Sequence, residues 1–250
     1  MTGANQVFED EASAAIYDHF NRWSASDAFY LDLARQTGGR VLDLGCGTGM
    51  LACRIAAEGC DVAGVDPADG MLRVARTRPG TENVRWVKGS GQSLELPCRF
   101  DLIYMTGHAF QTLLSDEDVL ATLGNVARHL ARDGRFAFET RNPAAQAWRR
   151  WTPQQTRSVV ETPEHGRIEE FFDAVADIET GIVDIAQHDR YLDTGVERIG
   201  RSRIRFISQA HLAGLLAQAG LAALAWYGDW DHSPFLPASA EIIVVTGQVG

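Results

Sequence analysis

The chain has 250 residues, 45% of them hydrophobic and 22% charged, with a formal net charge of −10. That balance fits a soluble globular protein and argues against nucleic acid or an anionic membrane as partner, because gripping phosphates needs clustered Lys and Arg. No apolar stretch approaches the roughly 20 residues that span a bilayer, and the start lacks a basic region followed by an apolar run, so the expected compartment is the cytoplasm.

Apolar residues recur at helical spacing from Asn5 to about Gln36 (Ala12, Ala15, Ile16, Phe20, then Phe29, Tyr30, Leu33), with Ser24 or Ser26 as a cap between two helices. Apolar runs at 41–44, 62–65, 84–87, 101–105 and 135–139 follow, each succeeded by a helical or turn segment. This is the pattern of a parallel sheet covered on both faces. Ser115 with Asp118 opens a helix whose inner face is Val119, Leu120, Leu123, Val126, Ala127 and Leu130, expected to stop at Gly134. Beyond Trp151 the texture changes to alternation, as in Ile182-Val-Asp-Ile, with turns at Glu164-His-Gly and Asp193-Thr-Gly. A helix from Ser208 to Ala219 and strands near 221–227 and 241–246 complete the chain. The expected organisation is an α/β core over 1–152, an antiparallel β insertion over 153–206, and a last helix and two strands over 207–250.

The most informative segment is Arg40-Val-Leu-Asp-Leu-Gly-Cys-Gly-Thr-Gly-Met50. A strand that stops at Asp43 and turns on Gly45, Gly47 and Gly49 into a helix at Met50 lets a ligand approach the backbone closely, facing N–H groups suited to an anion. The dinucleotide fingerprint would need glycine where Met50 stands, which disfavours a nicotinamide oxidoreductase, and no Lys-Ser or Lys-Thr follows for a P-loop. Cys46 contributes backbone here. It, Cys53, Cys60 and Cys98 form no Cys-x-x-Cys pair and read as reduced thiols.

In Asp43-Leu-Gly-Cys-Gly-Thr-Gly49 the chain resembles the class I S-adenosylmethionine-dependent methyltransferases of the bacterial small-molecule type. The resemblance implies a Rossmann-like, seven-stranded, mostly parallel sheet with helices on both faces and a small antiparallel β insertion over the acceptor. It also implies S-adenosylmethionine as cofactor and S-adenosylhomocysteine as product. The glycine loop then suits the methionine carboxylate, Asp43 the ammonium, and Asp66, ending Val-Ala-Gly-Val-Asp-Pro, both ribose hydroxyls. Pro67 fixes the following turn, and Met71 covers the adenine or belongs to the core. Gly89-Ser90-Gly91-Gln92 departs from the Gly-Asp of many relatives, leaving Ser90 or Gln92 for the adenine amine. Tyr17, Trp23 and Tyr30 occupy positions where relatives close an N-terminal helix over the methionine end, and Met105 borders the cofactor at the end of the fourth strand.

The segment Met105-Thr-Gly-His-Ala-Phe-Gln111 lies at the carboxyl edge of the sheet, where open parallel sheets bind ligands. His108 is the candidate base, or else a substrate-positioning residue or a helix-start hydrogen-bond partner. Phe110 and Gln111 shape the pocket, Arg141 suits an anionic acceptor group or an ion pair, and Trp148 walls the acceptor site. No convergent carboxylates announce a metal: Asp116, Glu117 and Asp118 share one helix start, and His165, Glu169 and Glu170 read as a polar strand surface. The expected reaction is metal-independent methyl transfer to nitrogen or oxygen of a small molecule. Aminopropyl transfer and a non-catalytic cofactor-binding or partner protein are the alternatives; the oligomeric state is left open.

Overall fold

The computed structural model describes residues 6–249; Asn5, where the first helical stretch is expected to begin, lies outside them. Seven strands form the main sheet: β1 (Arg40–Leu44), β2 (Asp61–Asp66), β3 (Val84–Lys88), β4 (Phe100–Met105), β5 (Leu130–Arg141), β10 (Leu221–Tyr227) and β11 (Glu241–Gln248), in the order β10-β11-β5-β4-β1-β2-β3. β1 to β5 run parallel, and β11 pairs antiparallel with both β5 and β10. A separate antiparallel sheet of β6 (Ser158–Thr162), β7 (Gly166–Asp177), β8 (Ile182–Tyr191) and β9 (Val196–Arg205) forms between β5 and α8 (Gln209–Gln218). The expected architecture is present.

Strand alternation sorts the main sheet into two cores. Leu42, Leu44, Ile103, Phe136 and Phe138 face α6 (Asp116–His129) and α8 through Val119, Leu123, Leu212 and Leu215. On the other side Val41, Leu102, Tyr104 and Ala137 face α3 (Ala25–Thr37) and α4 (Met50–Ala57) through Phe29, Tyr30, Leu51 and Ile55. α3 starts where expected, with Ser24 and Asp27 forming a reciprocal capping box. α6 starts at Ser115 but ends earlier than expected. Leu130 already pairs with Phe100 in β5, and the strand runs on through Gly134, where a Cβ would lie 2.7 Å from the Phe100 carbonyl oxygen. Gly134 therefore marks close approach of two strands rather than a helix stop.

α2 (Glu11–Phe20) crosses from the main sheet to the small one. Its Ala14 packs with Ala68 and Met71, the latter in α5 (Asp69–Ala75), while its Ile16 packs with Ile168 and Tyr191 of the small sheet. Strand order reverses between β1 and β4, which places a crevice outside their carboxyl ends, under α2 and the small sheet.

Candidate active site

All three glycines of the loop after β1 have positive φ (85°, 51° and 75°), but each is required for a different reason. A Cβ at Gly45 would stand 2.9 Å from that of Ala109, and one at Gly49 would lie 2.3 Å from the Trp86 ring. At Gly47 a Cβ would meet no protein atom within 4 Å. Two of the glycines let the protein pack against itself; the middle one opens onto the crevice.

The loop amides correct the expectation of an open row of donors. Gly45 and Cys46 both donate to the Val65 carbonyl (2.7 and 3.1 Å), Gly49 donates to that of Cys46 (2.9 Å), and Gly47 donates to Asp66 Oδ2 (2.8 Å). The amides of Gly45, Cys46, Gly47 and Gly49 are thus committed to the protein, and the start of α4 supplies the N–H groups that a helix leaves unpaired. Asp66 also accepts from Ala68 through Oδ1 (2.8 Å), so it anchors the loop and presents its remaining lone pairs. Burial raises its carboxyl, and the two backbone donors oppose that rise. Thr48 donates to Asp18 Oδ1 of α2 (2.6 Å), and Arg78 ties the Thr48 carbonyl to the same carboxylate, clamping loop to helix.

Asp43 is the most constrained charge in the crevice. It is 1% exposed, its Oδ1 has no hydrogen-bond partner, and its β4 neighbour Tyr104 likewise has a buried hydroxyl without one. Burial, opposed by the nearby Tyr104 hydroxyl and reinforced by Asp66 and Asp27, pushes its carboxyl up to about 8. A buried oxygen without a partner is costly and marks where a donor is missing.

Beside it lies a polar network absent from the sequence reading. Tyr30, fully buried and stacked on Tyr104 (5.4 Å between centroids), donates to Glu139. Glu139 Oε1 accepts the backbone N–H of His108 (2.6 Å), whose φ is 59°, and His108 Nε2 pairs with Glu241 Oε2 (3.0 Å). Burial raises the Glu139 carboxyl against the lowering influence of His108 and Tyr30. An acid inside Phe136-Ala-Phe-Glu-Thr was the available signal, since an ionisable residue in an apolar strand is rarely buried without a partner or a task.

Other expected residues take varied places. Tyr17 on α2 is half-buried, and its hydroxyl is raised to about 12 by burial and by the surrounding Asp18, Asp66, Asp27 and Glu170. Trp23 is 44% exposed, on the turn between α2 and α3. Pro67 is exposed, and Met71 is buried against Ala14 and Tyr17. Ser90 contacts Ser93 (3.0 Å), while the Gly91 and Gln92 carbonyls accept from Asn125 (2.8 Å each) and Gly91 lies tight under Thr122. The Gln92 side chain is exposed. Met105 and Phe110 are buried in the core, Phe110 stacked on Phe138 at 4.1 Å. Gln111 bridges Arg141 Nη1 (2.9 Å) and the Arg205 carbonyl (3.1 Å), and Arg141 lies 5.0 Å above the Trp151 ring. Burial lowers the Arg141 guanidinium while Glu241 and Glu139 oppose that shift. Trp148 packs edge-on against Phe206 (4.6 Å) at the base of the small sheet. Among the described residues no cluster of three His, Cys, Asp or Glu is arranged to hold a metal ion, and no helix is long and apolar enough to cross a membrane.

Glu169 and Glu170 depart from the polar-surface expectation: both are buried, on opposite faces of β7. Glu169 pairs with Arg157 (2.7 Å) and Arg190 (3.1 Å), whereas Glu170 lies on the face of Ile168, which packs against Ile16 of α2.

Residues 41–134 match a family model described as a methyltransferase domain. The chain is 32% identical over 139 residues to a cypemycin N-terminal methyltransferase of Streptomyces sp, covering 54% of this chain and 57% of that one. It is 33% identical over 121 residues to a ubiquinone biosynthesis O-methyltransferase of Paracidovorax citrulli, covering 46% and 49%. The chain thus spans about half the length of these curated relatives. Among solved structures, the CcbJ methyltransferase from Streptomyces caelestis superposes with a TM-score of 0.78 at 21% identity, covering 98% of each chain, a likeness of fold.

Proposed function

We propose that the chain is a class I S-adenosylmethionine-dependent methyltransferase that methylates a nitrogen or oxygen of a small molecule without a metal, a reading supported by the match of residues 41–134 to the methyltransferase domain. One observation carries the reading: Gly47 opens onto free space in the loop that follows Asp43, whose buried Oδ1 has no partner. The residues present fit the cofactor. Asp43 would hold its ammonium, Asp66 its ribose hydroxyls, and the first turn of α4 its carboxylate. When bound, S-adenosylmethionine supplies an electrophilic methyl group on a cationic sulfur. The acids Asp27 and Asp66 act on the same point as Asp43 and favour positive charge there, and a cationic ligand would in turn favour ionised Asp43.

The protein's remaining task is to hold the acceptor in line and to accept a proton. Orientation alone can contribute about 7–11 kcal/mol in such reactions. His108 is the proposed proton acceptor. His108 Nε2 lies 3.0 Å from Glu241 Oε2, and the tautomer that donates from Nε2 to this carboxylate leaves the Nδ1 lone pair for the acceptor. The Glu139 contact to its backbone N–H holds the residue in a left-handed conformation that a non-glycine residue adopts at a cost.

Incubation of the purified protein with methyl-labelled S-adenosylmethionine and a cell extract of its source tests the reading. Label in the small-molecule fraction is expected; label on protein or nucleic acid, or transfer of an aminopropyl group instead, would overturn it.

A further inference from the structure

The face of the small sheet that packs on α2 changes character along its length. Ile168 and Tyr191 meet Ile16 in an apolar contact, and the next inward pair along β7 and β8 is Glu170 and Asp189, directly opposite one another. They are 8% and 0% exposed. The Gln187 amide nitrogen donates to both, at 2.9 Å to Glu170 Oε2 and 3.1 Å to Asp189 Oδ1. Among the described residues neither carboxylate forms an ion pair with Lys, Arg or His within 4 Å; burial raises the Asp189 carboxyl, opposed by the Gln187 hydrogen bond and more weakly by His188 and Arg198.

Like charges opposed across a ladder weaken a sheet, and buried carboxylates without a cation weaken it more. Burial and the charge of Asp189 push Glu170 up to about 8. A separate observation points to a ligand: Asp189 Oδ2 is buried and has no hydrogen-bond partner. α2 links this face to the crevice, since its Ile16 packs on Ile168 and Tyr191 while its Asp18 accepts from Thr48 of the glycine loop.

We propose that Glu170 and Asp189 form the acceptor-binding end of the site and receive an ammonium group, so that the methyl acceptor is a cationic amine; where that nitrogen is the one methylated, it first passes a proton to one of the two carboxylates, and its lone pair then forms the C–N bond as the C–S bond breaks and S-adenosylhomocysteine leaves. This rests on the methyl-transfer reading above. An ammonium brings three donors and a positive charge, which satisfies the free Asp189 oxygen and compensates both carboxylates at once. Gln187, held between them, fixes their separation.

Calorimetry on the full chain saturated with S-adenosylhomocysteine tests this, using matched probes: cyclohexylamine and cyclohexanol, benzylamine and benzyl alcohol, glucosamine and glucose. At least one amine is expected to bind about tenfold or more tightly than its hydroxyl partner, a preference lost in Glu170→Gln and in Asp189→Asn. Both variants should keep S-adenosylhomocysteine affinity within about twofold and should melt no lower than the parent, because each replaces a buried acid with a neutral amide of the same shape. No preference for any amine, a preference that survives both substitutions, or a lowered melting temperature in both variants would overturn the assignment while leaving methyl transfer standing. Failure of the parent chain to bind S-adenosylhomocysteine would overturn the two readings together.

Discussion

The two halves of the crevice are built by different means. On the proposed cofactor side, the loop after β1 uses backbone: glycines with positive φ, amides tied to Val65 and Asp66, and a helix start. On the proposed acceptor side, the small sheet presents side chains at alternate positions of paired strands, with Glu170, Asp189 and Gln187 in one patch. Backbone recognition restricts residue type at fixed spacing, so it leaves a motif. Recognition by strand side chains tolerates many residue types at each position, so it leaves only a pattern of alternation.

The contrast is sharpest at Gly47. Valine there would fill the one unobstructed point of the loop and force a β-branched residue into a left-handed conformation, so no measurable S-adenosylhomocysteine binding is expected by calorimetry. A folded Gly47→Val variant with parental affinity would remove the loop from the site. Between the two halves, His108→Ala should lower kcat by about 10²-fold or more while leaving S-adenosylhomocysteine affinity unchanged, the usual range for a lost general base. Equal losses in both would reassign His108 to the cofactor side.

Asp66→Ala should weaken cofactor binding by about 1.5–3 kcal/mol, the worth of hydrogen bonds to a charged group, measured as a shift in Kd. Asp43 divides stability from function. The unfolded chain ionises this carboxyl near pH 4, whereas the folded chain keeps it protonated up to about 8. Its ionisation therefore costs stability progressively as pH rises from 4 to 8, and the cost levels off above that. Asp43→Asn removes this slope. Urea unfolding should show its advantage over the parent growing from pH 5 to pH 8, together with weaker cofactor binding; a constant difference would show that the group is ionised throughout. The smallest effect is expected for Thr48→Val, which loses the bond to Asp18 and should weaken cofactor binding by about 1 kcal/mol through a looser loop.

Legibility follows the same division. The Asp43–Gly49 loop, Asp66 at the end of β2, the Ser24 and Ser115 caps and the strand and helix order were all readable, because each depends on local backbone geometry or on a hydrophobic period. Tyr30 was singled out for the cofactor but is fully buried as the donor to Glu139, and Phe110 was assigned to the pocket but is stacked in the core. Both are aromatic residues at a plausible position, and only packing distinguishes a wall from a core. Glu139, Glu241 and Asp18 were missed because their partners lie 31, 133 and 30 residues away.

By itself the sequence determined the α/β alternation, the glycine turn and the acid before it, since φ preferences, capping and the 3.6 and 2.0 periods act between near neighbours. Only the tertiary structure decided which of the three glycines faces the crevice, which carboxylates are buried without a cation, and that His108 is held between Glu139 and Glu241. Those properties are set by what lies across the fold, because desolvation and hydrogen bonding depend on the atoms brought together in space.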